Sequence, residues 1–343
     1  MLWTNVKRFM NNPEINILDI YIGSKCNLTC YQCDTRSDIF KDNSNDPELD
    51  EILEGIDLVR KKFKVNLYST LGGEPLYYLD RIEKIVKFIR SYDQTTTIAF
   101  STNGALLEKK MDQVVELVKT YNISISVCDH FASFEDKALS TKIENAAKEL
   151  VNRLGYKPID GVEFFKRNII NVDKAETDES LKRFLKYYPN ITDGHEKNLV
   201  HGNYSSWIWF RPQHDFQSHY RRNKNNTPKP FMTNDPKGSY FNGCCNLFCN
   251  FLNKKKLYKC AALGTLESFL KKENLLNDQD WQKYLNYKPL DLENCSLEEV
   301  VNFSNNKFAE SSVCDMCPNS DDHKFIKTPE LVLPKKIFKI DAL

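Results

Sequence analysis

Regular alternation of β-rich and helical segments is the feature of this sequence that most limits its fold. The first 130 residues contain four β-rich segments: EINILDIYIG, KVNLYSTLGGEP, TTTIAFSTNG and ISISVCDH. In the segments between them, apolar residues recur three and four positions apart, as in amphipathic helices. Strands that alternate with helices form a parallel sheet, because each helix returns the chain to the same end of the sheet. VEFFKRNIIN and SSWIWFRPQ bring the strand candidates to six, which is short of a full eight-stranded barrel.

Notable residues follow the first three strands at the ends where these strands are expected to finish. Cys26, Cys30 and Cys33 follow the first strand, GGEP at 72–75 follows the second, and STNG at 101–104 follows the third. Parallel α/β folds build their sites from loops at the carboxyl ends of the strands. We therefore expect the three clusters to share one rim, where the glycine pair permits close approach of the backbone and Glu74 supplies a carboxylate suited to an ammonium group.

The three clustered cysteines do not match the usual structural uses of cysteine. A structural zinc site needs four ligands, and disulfides pair thiols two at a time. Three thiols therefore leave one coordination position open. The spacing alone does not distinguish a partial zinc site or a metal-free loop from another metal centre.

Composition and charge limit the remaining function classes. The 343 residues include 48 Lys and Arg against 47 Asp and Glu, a net charge of +1, so no general field attracts nucleic acid or a lipid surface. We find neither a signal peptide nor an apolar run of membrane-spanning length. A cytoplasmic protein without nucleic-acid or membrane partners is expected. In that reducing compartment, the eleven cysteines are more suited to metal binding than to disulfides.

The cysteine triplet, GGEP and STNG, in this order after successive strands, resemble the radical SAM enzyme superfamily. The resemblance is firm over about residues 15–135 and architectural over 135–220. It implies a partial (β/α)6 TIM-like barrel, a [4Fe–4S] cluster on the three cysteines, and S-adenosylmethionine at the fourth iron. The enzyme would cleave S-adenosylmethionine reductively to a 5′-deoxyadenosyl radical, which abstracts hydrogen from a substrate.

The resemblance also implies roles for individual residues in binding S-adenosylmethionine. Glu74, with the preceding glycines, would meet the methionyl ammonium, and Ser126 would lie near the ribose. A backbone contact is expected from Gln32, which stands where the family often has an aromatic residue. The full cofactor-binding set is Gln32, Gly72, Gly73, Glu74, Pro75, Ser101, Asn103 and Ser126.

A second cysteine field lies in the last third of the chain. The segment CCNLFCNFLNKKKLYKC predicts a hairpin with its turn at Asn253–Lys255, followed by a helix, and SSVCDMCPNS adds a distant CxxC pair. This arrangement resembles the SPASM and twitch extensions of radical SAM enzymes and implies one auxiliary [4Fe–4S] cluster. The resemblance places its ligands at Cys245, Cys260, Cys314 and Cys317. Cys249 competes with Cys245 for this role, Cys244 does so with less support, and a zinc ribbon would use the same spacing.

These observations predict a domain order and a function. We expect an N-terminal segment (1–14), the radical SAM core (15–220), a linker (221–243), the small hairpin-plus-helix iron–sulfur domain (244–321) and a tail (322–343). The expected function is radical SAM chemistry on an unidentified small molecule, such as a sugar, or on a peptide, with flavodoxin or ferredoxin as electron donor. The alternative is a zinc-stabilised, non-catalytic protein that binds a nucleotide or a sugar.

Overall fold

The fold is described from a computed structural model of the chain. The structure describes residues 13–28, 30, 33–37, 39–40, 43, 46–131, 137–159, 199–202, 206–212, 219–240, 249–305 and 312–319. The fifth strand candidate, VEFFKRNIIN at 162–171, lies outside these residues, as do Gln32, Cys244 and Cys245.

The described part of the chain alternates strands and helices as the periodicity predicts. The strands are β1 (Glu14–Tyr21), β2 (Lys64–Leu71), β3 (Thr97–Thr102), β4 (Ser124–Asp129), β5 (Pro158–Ile159), β6 (Leu199–Gly202), β7 (Trp207–Pro212), β8 (Arg221–Arg222), β9 (Pro228–Lys229), β10 (Cys249–Asn253), β11 (Lys256–Tyr258) and β12 (Leu290–Asp291). The helices are α1 (Leu49–Lys62), α2 (Leu79–Arg90), α3 (Leu107–Tyr121), α4 (Ala138–Leu154), α5 (Pro236–Gly238), α6 (Ala261–Gly264), α7 (Leu266–Lys272), α8 (Gln279–Leu285) and α9 (Leu297–Asn305).

Local capping chemistry sets several helix boundaries. Helix α1 begins with a reciprocal capping box between Glu48 and Glu51, which satisfies backbone N–H groups of its first turn. The residues that cap the C-termini of α3 and α4 are Asn122 and Gly155. Both have left-handed backbone (φ +53° and +68°), a conformation that these residue types adopt at low cost.

Ten strands form one sheet in the order β12-β11-β10-β1-β2-β3-β4-β7-β6-β5. Six consecutive members, from β10 to β7, run parallel to their neighbours. The fold is therefore an α/β partial barrel, as the alternation predicts. One of the six parallel strands, β10, comes from the C-terminal cysteine field, because Ile17 of β1 pairs with Cys249 of β10.

The C-terminal hairpin is formed by β10 and β11, with Asn253 paired to Lys256 across the turn. Helix α6 follows immediately after Cys260, which confirms the predicted order of hairpin and helix. The hairpin extends the sheet of the core through β1. The proposed boundary at residue 244 remains a prediction.

The two faces of the sheet have different surroundings. Leu18 and Ile20 of β1 belong to a large apolar core that includes buried residues of α1 to α4. On the opposite face, Ile17 packs with Leu67, Trp209 and their neighbours. We call this opposite face the inner face.

A second core lies under the C-terminal helices. It contains Tyr220, Phe269, Trp281 and Met316, with Cys260 and Cys317 packed against it. Within the predicted linker, Phe231 N–H donates to the Met316 carbonyl (3.1 Å) and Thr233 N–H to that of Asp315 (3.1 Å). This segment therefore holds the turn that carries the CxxC pair.

Candidate active site at the carboxyl edge of the sheet

The cysteine loop after β1 is attached through its backbone to the GGEP turn after β2. Gly73 N–H donates to the Gly23 carbonyl and Glu74 N–H to the Lys25 carbonyl, both at 2.8 Å. A Cβ atom on Gly72 would lie 2.4 Å from the Gly23 oxygen, and one on Gly73 would lie 2.1 Å from the Lys25 oxygen. The two glycines are therefore required for the close approach of the loop itself.

Glu74 lies beneath this turn and is 1% exposed. Its carboxyl oxygens accept hydrogen bonds from Thr102 Oγ1 (2.5 Å), Asn103 N–H (2.9 Å) and Leu76 N–H (3.0 Å). Burial raises the pKa of Glu74 to about 7, and the hydrogen bonds to Thr102, Asn103 and Leu76 partly oppose that rise. Glu74 thus connects the GGEP turn to STNG, and direct contact with a methionyl ammonium stays a prediction. Pro75 starts the short 3₁₀ turn that Glu74 caps.

A second set of contacts holds the start of the cysteine loop in place. Asp46 Oδ1 accepts from the backbone N–H and the hydroxyl of Ser24, each at 2.6 Å, and Asp46 Oδ2 accepts from Tyr78 OH at 2.9 Å. The Tyr78 oxygen in turn accepts from Lys25 N–H at 2.7 Å. Sequence reasoning missed Asp46 and Tyr78, because no short motif places them beside Ser24.

The three N-terminal cysteines are half-buried along one loop. Cys26 Sγ accepts from Leu28 N–H at 3.4 Å, Cys33 Sγ lies 3.4 Å from Thr35 Oγ1, and Cys30 Sγ lies 3.8 Å from His130 Nδ1. Among the described residues, no three His, Cys, Asp or Glu side chains are grouped as a metal site would require. The assignment of these thiols as ligands therefore remains a prediction from their spacing.

The remaining predicted binding residues lie beside this loop or on the inner face. Asn103 Nδ2 donates to Asn27 Oδ1 at 2.8 Å, which joins STNG to the residue after Cys26. Ser101 of β3 is in register with Ser126 of β4, and Ser126 Oγ lies 3.5 Å from the buried Cys128 Sγ. Together with GGEP, they bring the described members of the predicted set to one edge of the sheet. Gln32 lies outside the described residues.

The inner face also carries a buried carboxyl group that sequence reasoning missed. Asp19 of β1 is 9% exposed and lies in register with Ser69 of β2. Burial raises the pKa of Asp19 to about 6, against hydrogen bonds with Ser69 and Cys249 that lower it. A signal was available, since Asp19 is the one charged residue within the apolar run INILDIYIG.

Of the described C-terminal cysteines, Cys260 and Cys317 pack against the second core, and Cys249 lies in the strand beside β1. Cys249 is in β10, Cys260 precedes α6, and Cys317 N–H donates to the Cys314 carbonyl at 3.2 Å. The turn between them is fixed by the buried Asp315, which accepts from Tyr284 OH at 2.8 Å and forms an ion pair with Lys283. Cys245 lies outside the described residues.

The chemistry of the donors suits iron–sulfur clusters at both places. Thiolates are the common protein ligands of [4Fe–4S] clusters, and three of them on one loop leave a fourth iron for another ligand. In the described structure, the N-terminal loop is anchored at Gly73 and Asp46, and its thiols lie within 4 Å of neighbouring polar groups. By the chemistry of its donors, three half-buried thiols on one loop, the site fits the group that the resemblance implies.

Comparison with known proteins assigns the N-terminal half of the chain. A sequence model described as "Radical SAM superfamily" matches residues 20–187. A probable GTP 3′,8-cyclase of Methanococcus aeolicus is 29% identical over 162 residues, which cover 44% of this chain and 50% of that protein. A GTP 3′,8-cyclase of Clostridium botulinum strain Hall is 27% identical over 183 residues, covering 51% of this chain and 54% of that protein. The chain thus spans about half the length of the curated relatives it matches.

Among solved structures, the chain is similar to Streptococcus suis SuiB bound to S-adenosylmethionine. The sequence identity is 15%, the TM-score is 0.43, and the match covers 89% of this chain and 72% of that chain.

The described part of the chain contains no helix with both the length and the apolar composition to cross a bilayer.

The family match spans the cysteine loop, the GGEP turn and the STNG turn. These three features meet at one edge of a parallel sheet. Residues 20–187 therefore form a radical SAM domain, and the enzymes of that superfamily use a [4Fe–4S] cluster and S-adenosylmethionine.

Proposed function

We propose that Cys26, Cys30 and Cys33 hold the cluster of this radical SAM enzyme and that the neighbouring turns bind S-adenosylmethionine. The observation that carries the proposal is the direct attachment of the cysteine loop to GGEP, with Glu74 joining GGEP to STNG. When bound, the cluster supplies the electron for reductive cleavage of S-adenosylmethionine.

The protein's own residues position the nucleotide in this proposal. Asn103 fixes the loop after Cys26, and the register of Ser101 with Ser126 sets two hydroxyl groups side by side beneath it. Glu74 holds Thr102 and Asn103 in place, and the backbone of Gln32 contributes a further contact. Preorganised polar groups of this kind orient a substrate without reorganisation during the reaction.

We further propose one auxiliary [4Fe–4S] cluster on Cys260, Cys314, Cys317 and Cys245. Between the two competing residues we choose Cys245, because the Cys249 side chain already forms a hydrogen bond with Asp19 on the inner face. Cys249→Ser should keep the full iron content, whereas Cys245→Ser should lose about half of it, since a cubane with a missing thiolate is held poorly. The reverse result would reassign the ligand.

For the substrate, the relatives and the inner face give different indications. The relatives are named as cyclases of GTP, but the identity is below one third over about half of their length. Asp19, with Ser69 beside it, places a carboxyl group and a hydroxyl on the inner face, and such groups suit hydroxyl- or amine-bearing molecules better than a triphosphate. We propose a small molecule such as a sugar, or a peptide, with flavodoxin or ferredoxin as electron donor in the cytoplasm.

Anaerobic purification followed by iron, sulfide and zinc analysis tests the cluster assignment. The proposal predicts about eight irons per chain with matching sulfide and broad visible absorption. A colourless protein that contains zinc in place of iron would contradict it and would favour the zinc-stabilised binding protein. No comparison supports that alternative.

A further inference from the structure

A single histidine contacts both cysteine fields. His219 is 2% exposed, and its Nε2 lies 2.9 Å from Asp34 Oδ1 while its Nδ1 lies 3.4 Å from Cys317 Sγ. Asp34 directly follows Cys33, and Cys317 is the second cysteine of the distant CxxC pair. One buried imidazole therefore spans residues that are 185 and 98 positions away from it.

A neighbouring contact joins the same two segments. The Arg36 guanidinium carbon lies 4.8 Å from the centre of the Tyr220 ring and 4.2 Å from that of Phe269, and the side chain is 1% exposed. Arg36 belongs to the N-terminal cysteine loop, and Tyr220 follows His219. The N-terminal cysteine loop thus packs against the second core through Arg36 as well as through Asp34, and His219 is buried beside this contact.

The distance to Cys317 indicates how His219 acts. In a cubane cluster each iron takes one protein ligand, so ligand atoms on different irons do not touch each other. The 3.4 Å separation between Nδ1 and Sγ is instead a hydrogen-bonding distance to sulfur. Residues that contact metal ligands orient them and tune the site without binding the metal.

We propose that His219 is a positioning residue that couples the two cysteine sites energetically. Through Asp34, it transmits the ordering of the CxxC turn to the N-terminal cysteine loop, and the reverse effect is equal, since coupling between binding sites is reciprocal. The connection is a contiguous chain of contacts, which is the physical path that such coupling requires. The inference rests on the auxiliary cluster of the proposed function.

Hydrogen exchange of the loop in the holoprotein tests the coupling without relying on activity. We expect peptides covering residues 22–37 to exchange at least about fivefold faster in a Cys314→Ser, Cys317→Ser double variant than in the wild type. His219→Leu should give the same acceleration while the C-terminal iron is retained, and combining all three changes should add nothing further. Lys224→Gln, an exposed change in the same segment, should exchange like the wild type.

If His219→Leu fails to fold, two polar replacements of His219 test its contacts with Cys317 and Asp34 one at a time. His219→Asn places a polar atom near the position of Nδ1, and His219→Gln places one near Nε2, so each preserves one contact and loses the other. Both variants should show the faster exchange, because the coupling needs both contacts.

Two results would overturn the inference at different points. A wild type with about eight irons, and a His219→Leu variant that keeps them and exchanges at the wild-type rate, would refute the coupling alone. A wild type with about four irons would refute the auxiliary cluster on which the coupling depends.

Discussion

At the scale of single residues, the site depends on buried polar groups whose roles are set by their neighbours. Glu74 is the clearest case, because a carboxyl group that three donors hold inside the protein joins two of the family's motifs. Asp46 likewise holds the start of the cysteine loop, because it accepts hydrogen bonds from Ser24 and Tyr78. Both carboxyl groups fix the position of the loop whose cysteines would bind the cluster.

Glu74 should make the stability of the metal-free protein fall as the pH rises from about 4.5 to 7. Its pKa is raised to about 7 in the folded state from an ordinary value of 4.5, so the folded chain binds more protons than the unfolded chain in that interval. Stability is therefore greatest below the unfolded pKa and is lost through the folded pKa. The expected loss is on the order of 1–3 kcal/mol.

Urea unfolding at several pH values measures this slope. Glu74→Gln should flatten it, whereas Glu83→Gln in α2 should not, because contacts with Lys87 and Tyr121 lower the pKa of Glu83 and give its titration the opposite sign. An unchanged slope in Glu74→Gln would show that another group titrates.

Asp19 should affect substrate use more than cleavage of S-adenosylmethionine. Asp19→Asn keeps the shape of the side chain and removes its charge on the inner face. We expect 5′-deoxyadenosine formation without substrate to stay within about twofold of the wild type, while turnover of the true substrate falls at least about tenfold. Equal losses in both measurements would show that Asp19 stabilises the cluster site and does not act on the substrate.

At the scale of elements, helix α1 and the C-terminal hairpin are fitted closely to each other. A Cβ atom on Gly55 of α1 would lie 2.0 Å from the Lys254 carbonyl oxygen at the hairpin turn. Lys254 and Lys255 also form ion pairs with Glu51 and Glu54 of α1, at 3.2 and 2.7 Å. This contact helps to seat β10 against β1.

Gly55→Ala should therefore destabilise the protein, although alanine is the better helix former by about 1 kcal/mol. Overpacking against the turn should cost about 1–3 kcal/mol in the free energy of unfolding. Gly155→Ala serves as the comparison, since no atom lies within 4 Å of its added Cβ and only the left-handed backbone (φ +68°) costs about 1–2 kcal/mol. If Gly55→Ala proves neutral or stabilising, the hairpin does not pack on α1 as described.

The elements also show what the sequence could and could not predict. Periodicity located β1 to β4 and α1 to α3 closely, because one face of each packs on the main core. The pairing of β10 with β1 was not predictable, since it joins strands more than 200 residues apart with no local signal. The same holds for the contact of Asp46 with Tyr78. The motifs identified the site, and the non-local contacts that support it required the structure.

At the scale of the whole molecule, removing the cysteines of one thiol site should leave the other site able to bind its iron. Replacing Cys314 and Cys317 with serine should lower the iron content to about four per chain and leave cleavage of S-adenosylmethionine measurable. Replacing Cys26, Cys30 and Cys33 with alanine should abolish that cleavage while about four irons remain. Loss of all iron in both variants would contradict two separate sites.

Formation of 5′-deoxyadenosine is the measurement that tests the central claim most directly. The anaerobically reconstituted protein, incubated with S-adenosylmethionine and a strong reductant, should produce 5′-deoxyadenosine and methionine, and the triple cysteine-to-alanine variant should produce neither. A wild-type protein that carries its full iron and sulfide and still forms no 5′-deoxyadenosine would contradict the account of the N-terminal cysteine loop.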